Sequence, residues 1–436
     1  MGKKRLAILA AVLVLLLPLF AAAEQAGPEK AYTLDKVVVL SRHNIRSPLT
    51  GGGSLLGEIT NHTWFSWTSA SGELSLKGAV LETLSGQYFR LWLEDEGLIP
   101  ANWQPDENAV RFYANAKQRT LATARYFSAG FLPVSAVPIE THAPYDTMDD
   151  TFTPELRFVS DAYREAALEE IAAMGGEEGM AGISKQLKDA IALLMEITDM
   201  EESEKYRSGE YGNLREDETV VFLEPDQEPK MSGPVKTATS VADALKFQYY
   251  EEPDELKAAF GHVLTREDWK AVCGIVETYG VMLFTAPLVS VNVAHPLLQE
   301  ILGELEQDGR VFTFLCGHDS NLASVLAALE AEEYSLPDTL EAKTPIGGKL
   351  TFERYLDAGG EAWYRIEMIY QNTDQLRNCT QLTLEAPPMR VPLSLKGIPV
   401  NEDGFIAEAD LLDRFREAID AFDDLQEEYE DMEEAA

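Results

Sequence analysis

Apolar positions along this chain fall into two textures. Short dense runs occur at Val37 to Leu40 and at Val311 to Leu315, the second rich in β-branched and aromatic side chains, with a weaker one at Val110 to Tyr113. Their length and composition mark them as buried strands. Each is followed by a polar segment and then a helical pattern, as with Leu322, Val325, Leu326 and Leu329 after the second run. Strand, loop and helix repeated in this order predict an α/β fold, with a mostly parallel sheet and helices on both of its faces. Sheets of that kind bind ligands beyond the carboxyl ends of their strands.

Between residues 154 and 278 the texture changes to helical patterns rich in Ala, Glu, Leu and Met, broken by Gly175-Gly176 and by a charged stretch from Glu201 to Glu218. This segment reads as a helical insertion. Strand-like runs then return at Lys349 to Phe352 and Tyr364 to Tyr370. A last amphipathic helix sets Leu411, Leu412, Phe415, Ile419 and Phe422 on one face. The expected division is a leader over 1–23, an α/β core over 24–153 and 279–425, the helical segment over 154–278, and an acidic tail over 426–436 that frays into solvent. There is no internal repeat.

The first residues change the picture of where the protein works. Lys3, Lys4 and Arg5 precede an apolar stretch from Leu6 to Phe20 and three small residues, Ala21 to Ala23, which is the layout of a cleaved secretory signal. The stretch is short for a membrane anchor and holds Pro18. Cleavage before Glu24 predicts a periplasmic or secreted protein without stable membrane insertion. With 36 Lys and Arg against 74 Asp and Glu, the formal charge is −38, which excludes a nucleic-acid or anionic-membrane partner because either needs a cationic face. The three cysteines, Cys273, Cys316 and Cys379, are too few for a disulfide framework and too scattered for zinc. Cys273 in a helical pattern and Cys316 at the end of an apolar run read as buried free thiols.

Chemistry gathers at the ends of the predicted strands. After the first comes Ser41-Arg42-His43-Asn44-Ile45-Arg46-Ser47-Pro48. Arginines on either side disfavour protonation of the imidazole, and a neutral imidazole is what a nucleophile requires. Guanidinium groups also present planar forks of donors to phosphate oxygens. After the second strand comes Cys316-Gly317-His318-Asp319-Ser320-Asn321, where glycine permits a tight turn and the following helix offers free N–H groups to an anion. His318 can donate to a phosphate oxygen and Asp319 can protonate a leaving alcohol. Arg119 follows the third run. Taken singly, each of these has a plainer explanation: a surface histidine among solvated arginines, an isolated His-Asp pair, an exposed arginine at a helix start.

Together they resemble the signature of the histidine acid phosphatase family, Arg-His-Gly-x-Arg-x-Pro near the amino end and His-Asp near the carboxyl end. Asn44 departs from the glycine most of the family carries, and the bacterial periplasmic glucose-1-phosphatases share that asparagine. Similarity to them extends through Tyr113 to Thr120, Met231 to Pro234, Phe247 to Tyr250, Thr344 to Lys349 and Gln375 to Asn378, and covers roughly Lys36 to Phe415. The resemblance implies a helical cap domain beside an α/β core, with the site in the cleft between them. It also implies roles: His43 as nucleophile, Asp319 as proton donor, Arg42, Arg46, Arg119 and His318 as phosphate ligands, and Glu228, in Gln227-Glu228-Pro229, as a substrate contact from the cap. Several disulfides are common in the family, and three cysteines cannot reproduce them.

No cofactor is expected, since arginines supply the positive charge a metal would bring, and His62, His142, His262 and His295 show no metal-ligand spacing. The expected partner is a small phosphomonoester, with glucose 1-phosphate or a similar sugar phosphate first. A phytase-type enzyme acting on inositol polyphosphates would share every catalytic residue. A non-catalytic exported sugar-phosphate-binding protein would need neither His43 nor Asp319. A cytoplasmic mutase working through phosphohistidine conflicts with the leader.

Overall fold

The computed structural model describes residues 31–49, 55–106 and 108–435, so the expected leader over 1–23 lies outside the described residues. Strands form at β1 (Tyr32–Arg42), β2 (Val110–Ala114), β3 (Val220–Phe222), β4 (Lys230–Ser232), β5 (Phe312–Gly317), β6 (Lys349–Asp357), β7 (Ala362–Tyr370), β8 (Met389–Leu393) and β9 (Ile406–Ala407). Four of the five runs read as strands from the sequence fall within them, and the fifth, Val311 to Leu315, begins one residue before β5. Seven strands make one sheet in the order β2-β5-β1-β6-β7-β8, with β9 also paired to β7, while β3 and β4 form a separate ribbon.

The sheet is mixed, which corrects the expectation of a mostly parallel one. Only β2 with β5 and β5 with β1 run parallel; the pairings of β6 with β1, and of β7 with β6, β8 and β9, are antiparallel. The cause is local. Asp357 Oδ1 accepts the Gly359 N–H at 2.8 Å, and Gly360 at φ +83° completes a tight reversal, which can join only antiparallel neighbours.

The longer helices are α1 (Leu76–Glu96), α2 (Gln118–Phe131), α3 (Asp161–Ala173), α4 (Met180–Ile197), α5 (Pro234–Glu251), α6 (Arg266–Phe284), α7 (Pro287–Glu306), α8 (Asp319–Ala328) and α9 (Glu408–Ala435). Alternation along β1 decides which helices cover which face. Val37 and Val39 pack with Phe89 of α1 and Phe127 and Phe131 of α2. Val38 and Leu40 pack with Leu298 and Ile301 of α7, Val325 of α8 and Phe415 of α9. Helices therefore cover both faces. The last helix runs on through the acidic residues at the end of the chain.

Helices α3 to α6 bury Tyr163, Ile171, Leu194, Leu245 and Trp269 in a further cluster to which the seven-stranded sheet contributes nothing. That cluster also takes in Ile45, Leu81 and Ile346, and from Tyr32 onward the chain forms one compact unit. Cys273, Cys316 and Cys379 are free, the first two buried. Among the described residues no single helix is long and apolar enough to cross a membrane.

Candidate active site

Parallel pairing brings three strand ends to one level, with Arg42 opposite Gly317 and Ala114 opposite Cys316. The next residues stay in step: the His43 N–H donates to Gly317 O and the Asn115 N–H to Cys316 O, each at 3.0 Å. His43, Asn115 and His318 thus leave the sheet side by side. Gly317 is required here because a Cβ would stand 2.3 Å from Asn321 Oδ1, the atom that accepts the His318 N–H at 2.8 Å and starts α8.

Hydrogen bonds define the tautomer of both imidazoles. His43 Nδ1 lies 2.9 Å from the carbonyl oxygen of Asn44, so Nδ1 carries the proton and Nε2 keeps its lone pair. The Asn115 amide is oriented by the Asp149 N–H, which donates to its Oδ1 at 3.0 Å, and its Nδ2 then donates to His318 Nε2 at 2.7 Å. His318 Nδ1 therefore carries hydrogen. The two rings stand edge to face with centroids 5.5 Å apart. Burial, and then the Arg119 guanidinium, push both imidazoles well below their usual pKa, so both are neutral.

Around them the guanidinium groups are held unequally. Arg42 pairs with Asp319 Oδ2 at 3.0 Å and Glu341 Oε1 at 2.8 Å. Arg46 pairs with Asp243 Oδ2 at 3.0 Å and lies over the Phe247 ring. Arg119 has no carboxylate partner among the described residues; its Nη2 lies 3.4 Å from His318 Nδ1, a contact between two donors. Burial and the Arg46 charge lower it to about 10. The buried Nε atoms of Arg42, Arg46 and Arg119 have no hydrogen-bond partner among the described residues. Three guanidinium groups lining one cavity suit a multivalent anion.

Asp319 stands at the first turn of α8. Packing around it would raise its pKa, yet its side chain keeps 45% of its area open to the cleft. Arg42 and then Lys246 hold the carboxyl below the usual carboxylate range. Asp319 is therefore ionised at neutral pH. Glu228, in the loop between β3 and β4, is exposed, lines the cleft and makes no hydrogen bond or ion pair among the described residues.

All seven residues singled out from the sequence (Arg42, His43, Arg46, Arg119, Glu228, His318 and Asp319) line one cavity of about 700 Å³. The other histidines lie outside its lining. His62 pairs with Asp199 at 2.7 Å and His142 with Glu140 at 2.6 Å.

The residues that brace the arginines were not singled out from the sequence. Lys246, 1% exposed, bridges Asp243 Oδ1 at 3.2 Å and Glu341 Oε1 at 3.3 Å, linking the anchors of Arg46 and Arg42. Asn44 Nδ2 donates to the buried Glu82 at 2.7 Å, and Glu82 pairs with Lys349 at 3.2 Å. A Cβ at Gly347, φ +64°, would stand 2.4 Å from that amide. The asparagine and the glycine opposite it thus fit as a pair.

A neutral imidazole among guanidinium donors, with a carboxyl group at the adjacent helix start, is an arrangement suited to holding a phosphoryl group. The histidine phosphatase superfamily (branch 2) matches residues 33–371, and the chain belongs to that family. It is a phosphatase. The glucose-1-phosphatase of Salmonella typhimurium is 38% identical over 410 residues, covering 93% of this chain and 96% of that protein. The glucose-1-phosphatase of Providencia rettgeri is 37% identical over 383 residues, 86% and 90% of the two chains. Among solved structures, the Hafnia alvei phytase without ligand superposes with a TM-score of 0.81 at 23% identity, covering 90% of this chain and 98% of that one, which is a likeness of fold.

Proposed function

We propose that the protein is an exported enzyme that hydrolyses sugar phosphates such as glucose 1-phosphate through a phosphohistidine on His43. The observation that carries this reading is the tautomer of His43: its Nδ1 proton is tied to a backbone carbonyl, leaving Nε2 neutral and unprotonated among the arginines. Nε2 attacks phosphorus and the bond to the sugar oxygen breaks. Asp319 gives its proton to that oxygen, and the sugar leaves as an alcohol. Water then attacks the phosphohistidine, its proton passes to Asp319, and the nitrogen–phosphorus bond breaks to release phosphate. Arg42, Arg46, Arg119 and the Nδ1–H of His318 stabilise charge on the transferred oxygens.

Asp319 begins ionised, so the proton it needs comes with the substrate. A phosphomonoester has a second pKa near 6, and its monoanion brings one proton into the site. As Arg42 turns to the phosphate oxygens, the carboxyl loses its strongest cation and takes that proton. Only the total proton count matters, so the rate should fall as pH rises above about 6.

Residues 154–278 act in this reading as a cap domain, with Glu228 meeting the sugar. The outer cleft favours a singly phosphorylated substrate over an inositol polyphosphate. Beyond the phosphate cradle it is lined by Lys236 and Lys343 but also by Glu277, Glu332 and Glu333, so a second phosphate meets no cationic surplus. The basic, apolar and small-residue layout over 1–23 supports export. The test is hydrolysis of glucose 1-phosphate by the wild type and by His43→Ala. The variant should keep its circular dichroism spectrum and lose turnover, and a folded variant that turns over normally would remove His43 from the chemistry.

A further inference from the structure

The cavity does not end at the phosphate cradle. It continues along α8, whose Ala323, Leu326 and Ala327 lie on the same helix face as Asp319. Opposite them α6 presents Val276, Gly280, Val281 and Phe284, and α5 supplies Thr239 and Ser240 one turn before Asp243. Two of the three walls of this arm are therefore apolar. Glu277 is set into them: its Oε2 accepts the Ala342 N–H at 3.0 Å, while its Oε1 is buried with no hydrogen-bond partner among the described residues. Such an acceptor costs stability unless a donor arrives.

A hexose fits this arm badly. Its hydroxyls surround the ring, and an apolar wall cannot satisfy them. Direction matters as well. Under the reading that Asp319 protonates the leaving oxygen, that oxygen lies beside Asp319, from where a sugar can turn toward Glu228 and an extended chain can follow the face of α8 into the arm.

We propose that the arm is a leaving-group subsite for phosphomonoesters whose alcohol is an extended, mainly apolar body ending in a hydrogen-bond donor received by Glu277. This rests on the phosphatase mechanism above and adds a second substrate class to it. Apolar contact selects length, and the unpaired carboxylate oxygen selects the terminal donor.

A series of ω-hydroxyalkyl phosphates, from 2-hydroxyethyl to 8-hydroxyoctyl phosphate, tests it. Each methylene that enters the arm should raise kcat/KM about two- to fourfold until the arm is full. Octyl phosphate, which lacks the terminal hydroxyl, should be the poorer substrate of the two eight-carbon esters, and Glu277→Ala should erase that difference. Gly280→Leu should fold, because a Cβ at Gly280 meets nothing within 4 Å and leucine suits a helix better than glycine. It should cut the ratio of the 8-hydroxyoctyl to the 2-hydroxyethyl constant by about tenfold or more. A flat length profile in a wild type that still hydrolyses 2-hydroxyethyl phosphate overturns the subsite and leaves the phosphatase mechanism standing. A length effect that Gly280→Leu does not change overturns its location. Failure to hydrolyse any of these esters or glucose 1-phosphate overturns the parent reading instead.

Discussion

Replacing Asp319 by asparagine separates the two jobs its carboxylate does. As a proton donor to an alkoxide it should be worth about 10²- to 10⁴-fold in kcat on glucose 1-phosphate. As the ion-pair partner of Arg42 at 3.0 Å it competes with the incoming phosphate for the same guanidinium. Unit charges at that separation attract by roughly 5 kcal/mol at an effective dielectric near 20. The carboxylate is 45% exposed, however, and solvent reduces a pair of this kind to about 1 kcal/mol. Freed Arg42 should therefore lower KM by about fivefold while kcat collapses. On 4-nitrophenyl phosphate the leaving phenolate needs no proton, so kcat should fall by less than about tenfold. Steady-state phosphate release on the two substrates at pH 5 measures both effects. Equal losses of kcat on the two esters would falsify the acid role, and an unchanged KM would mean that Arg42 stays paired with Asp319 in the complex.

Three further outcomes follow from the geometry. Glu228→Gln should leave 4-nitrophenyl phosphate unaffected, weaken glucose 1-phosphate modestly and improve phytate, since it removes a like charge from the cleft; an unchanged sugar-phosphate to phytate ratio would take Glu228 out of the site. Asn44→Gly leaves the buried Glu82 with Lys349 alone and should lower stability by about 1–3 kcal/mol in urea titrations; an unchanged midpoint would show that Glu82 finds another donor. Burial, with Glu367 beside it and Arg390 opposing, raises Glu353 to about 7. Between the ordinary glutamate value near 4.3 and that point the native state binds more protons than the unfolded one. Stability should therefore fall as pH rises through this window and level off above it. Glu353→Gln should flatten that slope, and an equal slope in the variant would assign it to other groups.

How much of this was legible depended on distance along the chain. Arg42, His43, His318 and Asp319 follow buried strands directly, and a strand end fixes what comes after it, so short local patterns revealed them. The braces carried no such mark. Lys246 and Asp243 sit three apart on a helix and look like an ordinary surface ion pair, although Lys246 is almost fully buried between α5 and the loop that carries Glu341. Nothing local reveals that Glu341 reaches an arginine 299 residues earlier in the chain. The sheet departs from the sequence expectation for a different reason. Strand, loop and helix patterns belong to its parallel end, while the Asp357-Ala358-Gly359-Gly360 turn, a hairpin signal in plain view, sets β6 and β7 antiparallel.

The central claim is a covalent bond between phosphorus and His43 Nε2. Rapid quenching of the enzyme with ³²P-labelled glucose 1-phosphate, followed by digestion and sequencing of the labelled peptide, tests it directly. The account predicts label on the peptide containing Arg42-His43-Asn44, stable to alkali, lost in acid, and absent from His43→Ala. Label that survives acid, or that sits on another peptide, or full turnover with no label trapped at any quench time, would contradict it.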